Sequence, residues 1–429
     1  MHELSQMIKD DMKPALGVTE PGAIAFAVAK ARSFTKGDIK KVNVAMNSGM
    51  YKNAFTCGIP NSNEVGNVFA AALGVVAGNA DKGLESLADV TPEDNVKAQE
   101  MIDQGKITVE LSGITSRIFI EATVETEEDK AIVTIRDSHT NITKIIVNDK
   151  VELETEDEKK TEEDGGEEES HSIHKYTLQQ LYDYVTTVDI EEIRFINEAY
   201  KVNLELFHEG LENPRTTFAR QLLAINKGKE VSDDEQKTAS LMCNAAIEAR
   251  VIGLDKPAMS ITGSGAHGII ATMPLYAAYK VNGYTEEQLL RATALSYLVC
   301  MYIKEYSGRL SAFCGCAIAA GSGMACALVY LRGGTVEMMA HTLNNMASSI
   351  TGMICDGGNQ GCTMKGVAAV DVAYKSVEFA MNGIYISEVH GINGNTPEET
   401  MRNMGLIASP GMVGTEKTIV EIFEDKLKK

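Results

Sequence analysis

The spacing of apolar residues changes twice along the chain and divides it into three parts. Near the N-terminus apolar positions recur at helical spacing, which predicts helices at 1–12, 22–33, 65–78 and 91–104, with a strand at 40–47. From residue 106 the period becomes two, and four runs separated by turn residues predict strands at 107–111, 117–125, 131–137 and 143–148. After residue 176 helical spacing returns and continues almost to the end. This pattern predicts an α+β fold with a small antiparallel sheet and a large helical C-terminal domain.

The same pattern predicts domain boundaries. Residues 1–37 form N-terminal helices packed on the C-terminal helical domain, residues 38–150 form an α/β domain around the antiparallel sheet, and residues 176–429 form an all-helical domain with the cysteine motifs. Between them, residues 151–175 form an acidic insert, with 11 acidic side chains at 152–170. Such a segment cannot bury apolar surface, so we predict that it is disordered.

The charge balance limits the classes of partner. The chain of 429 residues has a formal net charge of -20 and lacks the cluster of Lys and Arg that nucleic acid or an anionic membrane requires. The apolar run 310–331 is long enough to span a bilayer, but it consists mainly of Ala, Gly, Ser and Cys and predicts a helix buried among other helices. We therefore predict that neither nucleic acid nor a membrane is a partner.

The cysteines suggest metal chemistry rather than disulfides. The chain is long and its N-terminal segment lacks the apolar core of a signal peptide, so a reducing cytoplasm is the predicted location. Five of the eight cysteines fall within 308–365, at Cys314, Cys316, Cys326, Cys355 and Cys362. Thiolates ligate soft metals and iron–sulfur clusters. Cys355 and Cys362 bracket a Gly/Asn-rich loop that suits a ligand role, whereas Cys316 and Cys326 lie in an Ala/Gly helix pattern that favours core packing.

Two polar segments carry further candidate chemistry. The Gly/Asn-rich segment 47–62 is predicted to be a long loop, and long loops in compact domains are more often functional than idle. The segment 260–268 is a Gly/Ser loop that opens into an apolar helix. The backbone N–H groups at such a helix start bind carboxylate or phosphate, although a plain tight turn explains the sequence equally well. Thr19, before Glu20 and Pro21, is predicted to cap the second helix.

Several of these pieces occur together, and in the same order, in a known protein family. They are Thr19-Glu20-Pro21, Lys52-Asn53, His139-Thr140-Asn141, Gly263-Ser264-Gly265, Leu310-Ser311-Ala312 with Cys314, and Cys355-Asp356-Gly357 with Cys362 and Met364-Lys365. With these motifs running nearly from end to end, the chain resembles the iron–sulfur-dependent serine dehydratase-like proteins, and in particular the L-cysteine desulfidase branch.

The resemblance implies an enzyme, a carbon–sulfur lyase. The implied reaction is β-elimination from L-cysteine without pyridoxal phosphate (PLP), which gives pyruvate, ammonia and sulfide. An L-serine dehydratase-type lyase acting on another small substrate is the alternative. The implied cofactor is a [4Fe-4S] cluster held by three cysteines, with one open iron acting as a Lewis acid while a protein base removes the α-proton. The predicted partners are a small amino-acid substrate and a second copy of the chain in a homodimer.

The resemblance also implies which residues form the site. The matching cluster ligands are Cys314, Cys355 and Cys362, with Cys316 and Cys57 in reserve. The candidate catalytic residues are Glu20, His139, His267 and Lys365, and the candidate substrate-binding residues are Thr19, Lys52, Asn53, Thr140, Asn141, Ser264 and Gly265. Alternatives stay open: each histidine also fits a structural role. Glu20 also fits a helix-capping role, and Lys365 also fits an ion pair with Asp356.

One motif departs from the family. The desulfidases are expected to have Cys-Thr-Glu-Pro here, with the cysteine close to the cluster, whereas this chain has Val18. Valine can neither ligate iron nor move a proton, which leaves three hypotheses. The cluster keeps an open iron that carries water, or Cys57 takes the missing place, or the chain has lost the elimination activity and acts as a metal-binding protein. A non-catalytic protein with structural zinc is a further hypothesis, but such sites usually close with four ligands at short spacings.

Overall fold

The computed structural model describes residues 1–115, 117–155, 173–308 and 310–428, and it has the predicted α+β fold. The α-helices are α1 (Glu3–Asp11), α2 (Thr19–Arg32), α3 (Ser48–Ala54), α4 (Asn67–Ala77), α5 (Pro92–Asp103), α6 (Leu178–Thr187), α7 (Ile190–Ile193), α8 (Asn197–Glu212), α9 (Phe218–Ile225), α10 (Glu235–Val251), α11 (Gly265–Asn282), α12 (Glu286–Ser307), α13 (Gly321–Leu331), α14 (Val336–Ile350), α15 (Gly361–Met381), α16 (Pro397–Leu406) and α17 (Val413–Leu427). The strands are β1 (Lys13–Leu16), β2 (Ile39–Asn47), β3 (Ile107–Gly113), β4 (Phe119–Thr126), β5 (Lys130–Arg136), β6 (Ile142–Val147), β7 (Lys150–Glu154) and β8 (Pro257–Ser260).

The larger sheet has six strands in the order β3-β2-β4-β5-β6-β7. β2 and β3 are parallel, with Val42 opposite Ile107, and the other pairs are antiparallel. A parallel pair needs a crossover connection, and α3, α4 and α5 provide it. The prediction of an antiparallel sheet is therefore corrected at this pair, because apolar alternation does not reveal strand direction.

The core of the sheet follows from the period of two. Alternate residues of β4, Ile120, Ala122 and Val124, are fully buried. α2 packs against this sheet and against α4, and nearly all of its side chains are buried. An Ala-rich helix suits this position because its small side chains allow close packing on several sides.

Residues 1–37 contact both halves of the molecule. α1 packs against α12, and β1 pairs with β8 in an antiparallel two-stranded sheet, with Lys13 opposite Ser260. α2 instead packs on the six-stranded sheet. The domain boundaries given above stay a prediction.

Two local predictions are wrong. The predicted loop contains the helix α3, because buried Met50 and Ala54 pack this segment into the core despite its Gly/Asn-rich composition. Thr19 does not cap α2, since Val18 occupies the capping position and Thr19 is the first helical residue. The Thr19 hydroxyl is buried and has no hydrogen-bond partner within the described residues.

Two other predicted segments do not form the one continuous element that the sequence predicts. Most of the acidic insert, residues 156–172, lies outside the described residues, and the start of the insert belongs to β7. In the predicted helix 310–331, a π-helical turn (Cys316–Ala320) leads into α13, and Phe313 before it bridges to Ile354. In the part of the chain that the structure describes, no helix has the length and apolar character needed to cross a membrane.

Candidate active site

The segments that hold Cys314 and Cys355 are paired in the fold. Cys314 N donates a hydrogen bond of 3.0 Å to Met353 O, and Cys355 N donates one of 2.6 Å to Ala312 O. These two bonds form a short antiparallel pairing between the segment before α13 and the segment before α15. Backbone pairing therefore places two predicted ligands on adjacent segments.

Cys362 and Cys316 lie in the same neighbourhood. Cys362 is the second residue of α15, and its Sγ donates to Gly357 O at 3.4 Å. Burial, together with the charges of Cys355 and Cys314, raises the pKa of Cys362 to about 12. A hydrogen bond with Cys316 and burial raise the pKa of Cys314 well above its usual value. These mutual effects require that the four thiols are near one another.

The donor set combines thiols with nearby cations. Across the described ranges, no group of three or more His, Cys, Asp or Glu side chains is arranged to hold one metal ion. Cysteine thiolates are the usual protein ligands of a [4Fe-4S] cluster. The charge of Lys304 acts on Cys314 and Cys355, and the charge of Lys365 acts on Cys362. Three thiols with nearby cations fit an anionic iron–sulfur cluster.

Glu20 is at the centre of a second group, in the first turn of α2. Its Oε1 accepts a hydrogen bond of 2.9 Å from Asn53 Nδ2 and lies 3.8 Å from His139 Nε2. Burial raises the pKa of Glu20, but the contacts with His139 and Asn53 and the charge of Arg250 outweigh this effect and lower the pKa to about 2. Glu20 is therefore ionised. A separation of 3.8 Å exceeds a hydrogen bond, and the buried His139 Nε2 has no hydrogen-bond partner among the described residues.

Asn53 joins the two groups. Its Nδ2 bonds Glu20, and its Oδ1 lies 3.8 Å from Cys355 Sγ. Gly358 N also donates a hydrogen bond of 3.1 Å to Asn53 O. A Cβ built on Gly358 would lie only 2.7 Å from Val18 Cγ1, so Val18 packs against the loop that follows Cys355. Position 18 therefore lies beside the loop that joins Cys355 to Cys362.

His267 lies in the first turn of α11 and is neutral. Burial lowers the pKa of His267 to about 3, and the charges of Lys304 and Arg250 act in the same direction. Its Nδ1 lies 2.5 Å from Thr262 Oγ1, and that hydroxyl donates its single proton to Ile261 O at 2.8 Å.

A cleft of about 1040 Å³ opens beside His139, which together with Glu20 we call the acid–base group. The residues that line it include Thr19, His139, Thr140, Thr262, Gly263 and Lys304. Its volume is ample for a small amino acid. Among the described residues no cysteine lines the cleft. Lys304 does line it, and the charge of Lys304 interacts with Cys314 and Cys355.

Lys52, a predicted substrate-binding residue, has its ammonium group surrounded by acceptors of the protein itself. Its Nζ is buried and lies 2.9 Å from Ser311 O, 3.0 Å from Cys355 O and 3.2 Å from Glu416 Oε2. An ammonium group has three protons, and these three acceptors use all of them. Lys52 therefore connects the two cysteine segments to α17.

The polar groups of two more predicted site residues have partners within the protein. Asn141 is exposed, and its Nδ2 donates to Arg136 O at 3.1 Å within the β5–β6 hairpin. Lys365 forms an ion pair with Asp356, which is the structural alternative given for it above. Thr140 differs from Asn141, because it lines the cleft from the tip of the same hairpin.

Cys57 is poorly suited to a ligand role. It is fully buried, and its Sγ donates to Ala54 O at 3.4 Å. Burial and the charge of Glu20 raise the pKa of Cys57 well above its usual value. A metal ligand must be a thiolate, and this environment favours the thiol.

Arg250 and Lys304 are buried cations of the site that the sequence does not single out. Arg250 lies near the end of α10, against Gly265 at the start of α11, and Lys304 lies in the last turn of α12. Each lies in a helix that carries other charged residues, Lys237 in α10 and Arg291 in α12 among them. The sequence therefore gives no signal that separates Arg250 and Lys304 from ordinary surface cations.

Comparison with known proteins matches the chain to one family model and to a set of relatives of similar length. A family model for the serine dehydratase alpha chain matches residues 81–421. The UPF0597 protein of Clostridium botulinum (strain Hall) is 40% identical over 430 residues, which cover 98% of each chain. The UPF0597 proteins of Caldanaerobacter subterraneus subsp. tengcongensis and Bacteroides fragilis are 36% and 34% identical, over 99% of this chain and 98% of theirs.

Proposed function

The chain belongs to the serine dehydratase alpha chain family, which is associated with iron–sulfur-type dehydratases and lyases, and on that basis we propose that it is an L-cysteine lyase. The proposed reaction is β-elimination without PLP, in which L-cysteine gives pyruvate, ammonia and sulfide. The observation that carries the proposal is the position of Asn53, which bonds Glu20 and lies 3.8 Å from the thiol of Cys355. The proposed cluster site and the acid–base group are therefore adjacent.

We assign the cluster to Cys314, Cys355 and Cys362. The association of the family with iron–sulfur-type lyases, and the mutual effect of these thiols on the pKa of Cys362, support a [4Fe-4S] cluster held by the three residues. When bound, such a cluster supplies Lewis-acidic iron that stabilises negative charge on a departing sulfur or oxygen. Cys316 stays the reserve ligand because it shares a hydrogen bond with Cys314.

His139 is the base that we propose for the α-proton. It lines the cleft, and its buried Nε2 has no partner among the described residues, so it is free to accept a proton from the substrate Cα. Ionised Glu20, 3.8 Å away, stabilises the imidazolium that forms. His267 is less suited, because its pKa is lowered to about 3 and it holds a proton poorly.

Lys304 is the residue that we propose to stabilise and protonate the departing group. It is buried, it lines the cleft, and its charge acts on Cys314 and Cys355. Elimination leaves negative charge on the β-substituent, and a cation at this place stabilises that charge and supplies a proton. The enamine product, 2-aminoacrylate, then hydrolyses to pyruvate and ammonia.

Dehydration of L-serine is a second candidate, and Val18 favours it. The desulfidase branch is expected to carry a cysteine at this position, whereas the valine here is buried against Gly358. His139 and Glu20 keep the same roles towards the α-proton, and Lys304 stabilises and protonates a departing hydroxide as it does a departing sulfide. The two candidates differ only in the leaving group, so one assay distinguishes them.

Anaerobic purification followed by assay of both amino acids tests the proposal. We expect a coloured protein that contains iron and acid-labile sulfide and that releases pyruvate and sulfide in equal amounts from L-cysteine. D-Cysteine is the matched control, since it carries the same leaving group with the α-proton on the other face. Pyruvate release from L-serine alone selects the second candidate. A colourless protein with tightly bound zinc and no activity on either substrate contradicts both.

A further inference from the structure

Arg250 is a buried cation with an unused donor. It is the penultimate residue of α10 and is 4% exposed. Its Nε has no hydrogen-bond acceptor among the described residues. A buried guanidinium N–H without an acceptor costs free energy, so this donor points to a ligand that supplies the acceptor.

The unused donor faces the N-terminus of α11, a helix of 18 residues. A Cβ built on Gly265, the first residue of this helix, would lie 2.7 Å from Arg250 Nε, so glycine is needed to leave room for the guanidinium. The N–H groups in the first turn of a helix lack partners within the helix and carry partial positive charge. Ser264, at the capping position, makes no side-chain hydrogen bond to them. Two sets of donors therefore lie side by side.

Arg250 and the start of α11 lie close to the wall of the cleft and to an anion. Thr262 and Gly263, which precede the helix, line the cleft, whereas Arg250 and Gly265 are not among the described residues that line it. The charge of Arg250 acts on the ionised Glu20. Positive and negative groups at neighbouring positions match the carboxylate and the ammonium of a zwitterionic amino acid.

We propose that Arg250 and the N-terminus of α11 bind the α-carboxylate of the substrate, while Glu20 faces its ammonium group. Arg250 is then the residue that selects α-amino acids over simple amines. This inference rests on the proposed function, because it concerns the substrate of that reaction. If Arg250 only offset the charge of Glu20, its replacement would change the stability of the fold and would weaken the binding of all ligands equally.

Calorimetric binding of substrate analogues to the anaerobically purified holoprotein tests the inference. L-Alanine has both charged groups but no leaving group, and ethylamine lacks the carboxylate. We expect Arg250→Met to weaken L-alanine binding roughly 10- to 100-fold and to leave ethylamine binding unchanged. Arg250→Lys keeps the charge without the Nε donor, and we expect an intermediate loss.

Arg291→Met is the matched control. This arginine side chain is 13% exposed, and its Nη1 bonds the carbonyl groups of Val185 and Val188 away from the cleft. Its removal deletes a largely buried guanidinium of comparable size. We expect the L-alanine affinity of this variant to equal that of the wild type.

A second variant keeps the test open if Arg250→Met does not fold. In Gly265→Ala the new Cβ displaces the guanidinium, so we expect the same loss of L-alanine binding. Unchanged L-alanine affinity in the Arg250 variants overturns the inference. Failure of the proposed function looks different: the wild type then binds L-alanine through Arg250 but releases no pyruvate from L-cysteine or L-serine, and the carboxylate site stands.

Discussion

Asn53 donates a hydrogen bond of 2.9 Å from Nδ2 to Glu20 Oε1. Its amide oxygen lies 3.8 Å from Cys355 Sγ on the other side. One amide therefore orients the carboxylate of the acid–base group with its donor and contacts the proposed cluster site with its acceptor. An asparagine suits this position because it offers a donor and an acceptor in one rigid plane.

Replacing this amide by a carboxylate is expected to impair catalysis. In Asn53→Asp the donor to Glu20 is lost and a negative charge is added beside it, which raises the pKa of Glu20. We expect kcat for L-cysteine to fall roughly tenfold or more. Steady-state assays of pyruvate release measure this, with Asn63→Asp at an exposed position as the control. Equal kcat values for the two variants would remove Asn53 from the mechanism.

Iron content tests the three proposed ligands. Separate Cys→Ala substitutions at Cys314, Cys355 and Cys362 are expected to lower bound iron and acid-labile sulfide and to abolish pyruvate release, because each removes one ligand. Cys326→Ala is the matched control, since this thiol is fully buried in α13 and only burial raises its pKa. It should keep its iron. A Cys355→Ala protein with full iron content contradicts the assignment.

Acid stability gives a separate test of Glu20. Burial raises the pKa of this group, but its neighbours lower it more, from 4.5 to about 2. Because the folded-state pKa lies below the unfolded value, the stabilising contribution is complete above about pH 4.5 and is lost as the pH falls towards about 2. We therefore expect the difference in the free energy of unfolding between the wild type and Glu20→Gln to be constant above pH 4.5 and to shrink below it.

Urea unfolding at a series of pH values measures this difference. Glu100→Gln is the control, because Glu100 is exposed on α5. Its difference from the wild type should stay small throughout. A Glu20→Gln difference that does not change with acidity shows that Glu20 is not held ionised by folding.

The sequence predicts elements that have a regular apolar period. The burial pattern of β4 alternates strictly, with Ile120, Ala122 and Val124 buried on one face. The four-residue strands β1 and β8 are too short to show any period, and their pairing joins positions far apart in the chain. The sequence does not reveal α3, because its Gly/Asn-rich composition is typical of loops.

The candidate site is predictable only as far as its motifs extend. The cysteines and the Thr-Glu-Pro and Lys-Asn motifs identify much of the site, since their residue types indicate their chemistry. The direction in which each side chain points is not predictable from the sequence. Lys52 and Asn53 are neighbours, yet Lys52 bonds Glu416 while Asn53 bonds Glu20. Arg250 has no motif, and its role depends on the approach of α10 to α11, which only the tertiary structure determines.

Two further variants address the unusual valine. Val18 packs against Gly358, so Val18→Cys is expected to place a thiol beside the cysteine loop without disturbing the fold. We expect this variant to keep its iron and to raise sulfide release from L-cysteine relative to pyruvate release from L-serine. Cys57→Ala should leave iron and both activities unchanged, because the Cys57 thiol is buried and bonded to Ala54 O. Loss of iron from Cys57→Ala would restore it as a ligand.

The buried ion pair between Lys52 and Glu416 should matter for both stability and iron binding. The side chains are 0% and 5% exposed and 3.2 Å apart, so removing one partner leaves a charge buried without its counterion. We expect Lys52→Met and Glu416→Gln each to lower the free energy of unfolding by about 3–5 kcal/mol, and the double variant to lose less than the sum. Denaturant unfolding of the four proteins gives the coupling energy.

Lys52→Met should also reduce the iron content, whereas Glu416→Gln should reduce it less. The Lys52 ammonium bonds Ser311 O and Cys355 O as well as Glu416, so it ties together the two segments that supply Cys314 and Cys355. In Glu416→Gln those two carbonyl contacts remain. Lys417→Met, at an exposed position of α17, is the control and should change neither quantity. Equal iron loss in Lys52→Met and Glu416→Gln means that the pair acts on the cluster site through overall stability alone.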